Sequence, residues 1–377
     1  MINKEKISLE WIYSVAKATN VADKTLVEKV IRAFLLLEGI VIQGITFTFK
    51  GGTALMLHLE SSKRLSIDID IIVPEKINDF EQQLKMIANK QNFNKVELQH
   101  RVSSTKIIKA HYKFFYTPIY KTNKTEEYIL LDILFEQVQY GKIIDKPILS
   151  RFIPTVDEPV IVKIPSIEDL LGDKLTAFAP NTTGIPYHKN EDSMSMEIIK
   201  QLYDIETLFD VSEDLKTIKN TFFKFAKTEL AYRETNQTVE DVLEDIYQTA
   251  LCITTRGIMG FGNINELLSG IKRVSGFIFS EKYHLEDAII SASKAAYLSI
   301  LIKYDDEIIE KYNNLKQIKE WTIEEPSLTK LNKLKKSSFE AFFYWFKIAE
   351  IITKNRNYYG KKVIQDTIIS NVKGGER

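Results

Sequence analysis

The sequence predicts an α+β fold, a mixed sheet with flanking helices, followed by an α-helical C-terminal domain. Three observations carry this: helical apolar spacing before residue 40, a succession of β-rich runs between residues 46 and 164, and helical spacing through most of the remainder. With 377 residues the chain exceeds the roughly 250–300 that one core usually fills, so two domains are expected, 1–165 and 166–377. A hydrophobic content of 44% beside 27% charged residues excludes a largely disordered chain.

Leu26, Val30, Ile31, Phe34 and Leu35 share one face of a 3.6-residue repeat and predict a leading helical arm. Runs 46–49, 67–73, 95–102, 107–116, 128–135 and 159–164 are rich in β-branched and aromatic residues and read as strands, with 78–90 a helix between them. Helices are therefore expected on one face of a sheet. Ser166 opens the next helix, with Asp169 placed three residues on as the return partner of a capping box. Thr238 and Asp241 repeat that signature, and 263–274, 285–302 and 337–353 have spacings suited to a bundle. Segments 180–193 and 324–327 read as irregular.

Lys plus Arg and Asp plus Glu are 51 each, so no overall field draws the molecule to a polyanion. The one cysteine, Cys252, lies in an apolar stretch and reads as core packing; it excludes an internal disulfide or a thiolate zinc cluster within the chain and suits a reducing compartment. The first residues lack the apolar core of a signal peptide, and the greasy stretch 31–49 is interrupted by Arg32, Glu38 and Gln43. A cytoplasmic protein is expected.

The chemistry concentrates in residues 51–70, GGTALMLHLESSKRLSIDID. Gly51 and Gly52 let the backbone turn sharply beside a ligand, and Thr53 is expected to begin a helix whose free amides point back at the turn, a phosphate cradle. Asp68 and Asp70 alternate with isoleucines, which on a strand puts both carboxylates on one face. Side by side they repel unless a cation lies between them, and hard oxygen ligands suit Mg²⁺. Asp132 interrupts the apolar run 128–135, a costly place for a carboxylate without a partner or metal. Three strand-borne acids after a glycine turn make a two-metal phosphoryl-transfer centre. His58 and His188 lack metal-ligand spacing.

These residues, with SIEDLLGDKLTAFAPNTTGIPY (166–187) and MEIIKQLYDI (196–205), strongly resemble the AbiEii/AbiGii toxin family of nucleotidyltransferases, of the DNA polymerase beta-like superfamily. The resemblance spans about 47–209 and implies a nucleotidyltransferase-type sheet whose active site the first helices of the second domain complete. It places Ser66 and Asp68 in a Ser/Thr-x-Asp element, Asp70 as the second metal ligand, Lys174 as a phosphate contact and Asp204 as the last acid of a further motif; Gln201 stands where the family often has Asp. Lys174 and Asp204 also fit solvated helix faces, and Arg64 fits either a phosphate contact or an exposed loop. The implied reaction moves a nucleoside monophosphate from an NTP to a hydroxyl acceptor, with RNA, particularly the tRNA 3′ end, as the acceptor among relatives. A separately encoded antitoxin is a further implied partner, and no membrane is. The same centre could serve an aminoglycoside-type transferase, a nucleotide-binding regulator whose chemistry is lost, or, less economically given the glycine turn, a metal-dependent nuclease. Lys330, Lys333, Lys335 and Lys336, and the mixed Lys/Arg/Tyr segment 354–362 with Arg356, Lys361 and Lys362, are candidate RNA contacts and equally fit a solvated helix face with a loose terminal turn.

Overall fold

Ser8 accepts the Trp11 amide and Asp23 the Thr25 amide, and these caps open α1 (Leu9–Thr19) and α2 (Lys24–Ile42). Asn20, in the left-handed region at φ 55°, ends the first. The second is no peripheral arm: Val27, Val30, Ile31, Phe34 and Leu35 are buried in the main core. The computed structural model describes all residues except 60–62, 76, 100–108, 122, 280, 315 and 375–377, and the backbone alone over 357–374.

The elements that follow are β1 (Thr48–Lys50), α3 (Gly51–His58), β2 (Ile69–Val73), α4 (Phe80–Lys90), β3 (Lys95–Gln99), β4 (Lys109–Tyr116) and β5 (Glu127–Phe135). The expected strands 95–102 and 107–116 match β3 and β4 except where they run into 100–108, outside the described residues. Strand order is β1-β2-β5-β4-β3, with β2 and β5 parallel and the other neighbours antiparallel. Alternation explains the layering: Ile69, Ile71, Val73, Leu131, Ile133, Tyr112 and Phe114 are buried in the core shared with α2 and α4, which leaves the intervening residues to the opposite face.

A hairpin of β6 (Ile143–Pro147) and β7 (Ile161–Pro165) leads into α5 (Ile167–Ala177). Ser166 caps α5 by accepting the Asp169 amide. The Ser166 amide instead goes to the Lys142 carbonyl, and the buried Asp169 carboxylate accepts the Gly141 and Lys142 amides and the Thr221 hydroxyl. The expected reciprocal box is thus opened, and its acid ties three segments together.

The remaining elements are β8 (His188–Lys189), β9 (Asp192–Ser193), α6 (Ser195–Val211), α7 (Leu215–Tyr232), α8 (Val239–Thr254), α9 (Ile264–Val274), α10 (Leu285–Lys303) and α11 (Phe339–Gly374). The short β8–β9 hairpin gives part of the irregular segment 180–193 an order that was not expected. Contacts place the break differently from residue 165: one unit comprises Met1–Lys174, Thr217–Asn236 and Lys272–Tyr283, the other Leu175–Lys216, Gln237–Ile271 and His284–Arg377. In the second unit α10 packs on α6, α8 and α11. The Thr238–Asp241 capping box forms as expected. Cys252 is buried, its thiol directed at the Gly262 carbonyl. No described helix is long and apolar enough to cross a membrane.

Candidate active site

Strand β1 ends at Lys50, which has extended backbone angles and serves as the N-cap of α3. The helix starts at Gly51, two residues before the expected Thr53. Gly51 has φ +80°, a conformation that L side chains rarely adopt, and a Cβ there would drive into the Asp70 carboxylate. A Cβ on Gly52 would come within 2.5 Å of Arg64 Nη2 and 2.8 Å of Ser66 Oγ. Gly51 is therefore required by its backbone and Gly52 permits a close approach, and together they bring Asp70, Arg64 and Ser66 against the first turn of α3, whose amides have no partner within the helix. Arg64 is not an exposed loop residue: it is 4% exposed, forms an isolated bridge with Ile278 and donates from Nη1 to the Leu65 carbonyl. Thr53 is buried and its hydroxyl donates to the Asp68 carbonyl at 2.6 Å, so the side chain fixes the approach to β2.

Sheet register supplies the rest. Lys50 pairs with Asp70, Asp70 with Asp132, Asp132 with His111, and His111 with Gln99. One row crosses all five strands on the face away from α2 and α4, with neighbouring Cα atoms about 5 Å apart. Asp68 precedes β2 rather than lying in it and is exposed, yet its charge acts on Asp70. His111 Nδ1 lies 2.6 Å from Asp132 Oδ1, the ring N–H donating. That bond is the compensating partner which an aspartate in so apolar a strand requires.

Loss of hydration, then the Asp132 and Asp68 carboxylates, push the Asp70 carboxyl up to about 7, while Lys50 and Lys174 pull it back. Lys174 is 8% exposed, which removes it from the solvated face. Lys50 loses hydration as well, but Asp173 and Asp70 hold its ammonium above the ordinary value. Its Nζ lies 3.3 Å from Asp173 Oδ2, which also accepts the Tyr140 hydroxyl at 2.6 Å, and it stands over the rings of Tyr140 and Phe225. From α7 comes Glu229, whose carboxyl is raised by burial against the pull of Lys109, Arg233 and Lys50.

The structure thus gathers Gly51, Gly52, Thr53, Arg64, Ser66, Asp68, Asp70, Asp132 and Lys174 in one unit. Asp204 belongs to the other, where it is fully buried in α6 and so leaves the wet face considered for it. Lys50, His111, Asp173, Tyr140 and Glu229 escaped the sequence reading. His58 is bonded to the Pro165 carbonyl and His188 pairs with Glu266. Among the described residues no three His, Cys, Asp or Glu side chains are gathered closely enough to cage a metal. The donors still fit Mg²⁺, which takes one or two carboxylates and completes its shell with water and substrate phosphate. The Asp70–Asp132 pair beside the glycine turn offers such carboxylates.

The sequence matches the AbiEii family, nucleotidyl transferase toxins of type IV toxin–antitoxin systems, over residues 35–258. The chain belongs to the AbiEii family. Its membership makes it a nucleotidyltransferase toxin by class, and the match includes every residue gathered above. No curated protein matches the chain. Among solved structures, JHP933 from Helicobacter pylori is 15% identical, covering 77% of this chain and 93% of its own, with a TM-score of 0.39. A candidate nucleotidyltransferase from H. pylori is 16% identical, covering 74% of this chain and 94% of its own, with a TM-score of 0.40.

Proposed function

We propose that this AbiEii chain transfers a nucleoside monophosphate from a magnesium-bound NTP to a hydroxyl of RNA, with the 3′ end of tRNA as the acceptor. The observation that carries the reading is the cross-strand row Lys50, Asp70, Asp132 and His111 opening beside the Gly51–Gly52 turn. The first amides of α3 hold phosphate oxygens, and Arg64, Ser66 and Lys174 add donors and charge around them. Asp68 and Asp70, with Asp132, would hold Mg²⁺, which supplies charge neutralisation on the triphosphate. Asp132, oriented by His111, takes the proton of the acceptor hydroxyl as its oxygen bonds to the α-phosphorus. The bond from that phosphorus to the β-bridging oxygen breaks and pyrophosphate leaves. Asp204 is assigned to the same reaction on the family resemblance. A separately encoded antitoxin is the expected partner, and a reducing cytoplasm the expected setting.

Incubating the protein with each α-labelled NTP, Mg²⁺ and total RNA tests this. Label should enter RNA of tRNA size, and the mass of the isolated product should exceed the acceptor by one or a few nucleotides. Label confined to small molecules, or RNA fragmentation without incorporation, would refute the RNA acceptor.

A further inference from the structure

The second unit carries a surface to which the transfer chemistry above assigns no residue. Between α8 and α9 the chain turns through Arg256 at φ 56°, Gly257 at φ +81° and Gly260 at φ +80°. A left-handed arginine is a strained choice, kept only where the surroundings enforce it. Here they do: the Thr255 hydroxyl accepts the Met259 amide at 2.9 Å, the Gly257 amide reaches the Cys252 carbonyl at 2.8 Å, and a Cβ on Gly260 would come within 2.5 Å of the Cys252 amide. This braced loop presents Ile258 and Phe261 at 74% and 75% exposure, more open than the other large apolar side chains among the described residues. Apolar side chains held out on a braced loop lose little freedom when a partner covers them.

Ile258 also lines a cavity of about 430 Å³ whose remaining apolar wall is Met259, Ile289, Leu331 and Leu334. Its far rim is the 3₁₀ helix Thr329–Lys336. Three residues per turn make that helix two-faced: Leu328, Leu331 and Leu334 are buried, while Lys330, Lys333 and Lys336 are exposed in one eclipsed ladder. Lys335 leaves the ladder, donating to the Trp321 carbonyl at 2.7 Å and standing over the Phe342 ring. Arg256 completes the cationic rim, paired with Glu286 at 3.1 Å, and among the described residues no acidic one lines the cavity itself.

We infer that this groove docks an acidic amphipathic peptide segment of a partner protein, its aliphatic side chains entering beside Ile258 and its carboxylates meeting Lys330 and Lys333. Charge complementarity selects the acid, and the aliphatic lining favours Leu, Ile or Met anchors over nucleobases, which bind by stacking on aromatic or guanidinium planes. The inference reassigns Lys330 and Lys333 from the RNA contacts expected of the sequence to a protein partner, and leaves the residues of the transfer chemistry untouched.

Selection of a displayed library of random 12-residue peptides on the full chain tests it. Enriched sequences should combine two or three large aliphatic residues with Asp or Glu. The best enriched peptide, synthesised and measured by fluorescence anisotropy, should lose at least ten-fold in affinity to Ile258→Asp and to the double variant Lys330→Glu, Lys333→Glu, both of which keep wild-type circular dichroism and melting. Reversing the peptide's acids to lysine should abolish binding to the wild type and restore it on the double variant. Enrichment without acids, or affinity indifferent to both variants, overturns the inference. So does oligo-uridine RNA binding that is lost in the lysine variant with no acidic peptide bound, or a concentration-dependent dimer that Ile258→Asp abolishes.

Discussion

Two places in this molecule gather carboxylates around lysine, and they settle the charge differently. In the second unit Lys294, 3% exposed at its side chain, lies 3.1 Å from Glu206, 2.8 Å from Asp210 and 2.9 Å from Glu340, which joins α6, α10 and α11 through one ammonium. Burial works against its charge, but the three acids hold it far above the ordinary lysine value. In the first unit Asp70 has Asp132 and Asp68 as neighbours, and Lys50 and Lys174 do not cancel them, so its carboxyl stays near 7. Lys50 is itself shared with Asp173. The Lys294 cluster carries its cation within the chain, whereas the Asp70 cluster is left short of one, as the proposed function requires.

Gly51 separates the two clusters most sharply. A Cβ at that position meets both a disallowed φ and the Asp70 carboxylate. Gly51→Ala should therefore lower transfer by roughly 100-fold or more and cost about 1–3 kcal/mol of stability. Single-turnover incorporation of labelled NTP and urea unfolding measure the two; unchanged turnover would detach the turn from catalysis.

Lys294→Met is the reciprocal case. It strands three carboxylates among packed helices, a change worth about 3–5 kcal/mol when the charges are fully buried. Asp210 and Glu340 reach water here, so the expected loss is about 2–3 kcal/mol. Turnover per folded molecule should hold. A variant as stable as wild type would show that the cluster is surface decoration.

The smallest effect is expected at Asp173→Asn, which weakens the hold on Lys50 while keeping the Tyr140 contact. Turnover should fall on the order of ten-fold with KM for NTP rising, and the melting temperature should move little. Equal kcat and KM would mean that Lys50 is positioned without Asp173.

Much of this was legible locally. Alternation of isoleucine with aspartate announced β2, the apolar run around Asp132 announced β5, and two glycines after a strand announced the turn. Local pattern could not supply register. His111 and Lys50 become site residues only because antiparallel pairing sets them opposite Asp132 and Asp70, across 21 and 20 residues of chain. Strand β6, IIDKP, carries an acid, a lysine and a proline in five residues and gave no strand signal. Burial was not legible either: Arg64, Lys174 and Asp204 belong to charged residue types that usually face water, so local pattern left an exposed alternative open for each, and all three are buried. For 361 and 362, where RNA contacts were expected, the side chains lie outside the described ones, and Arg356 is bonded to Glu325 at 2.8 Å.

The central claim is that the crowded Asp70 carboxylate serves transfer and not the fold. Measuring Asp70→Asn and wild type side by side, for labelled-NTP incorporation in Mg²⁺ and for thermal unfolding without metal, tests it most directly. The account predicts a loss of incorporation of roughly 1,000-fold or more, with a melting temperature equal to or above wild type because a repelled charge has been removed. Incorporation near the wild-type rate, or a variant that fails to fold, would contradict it.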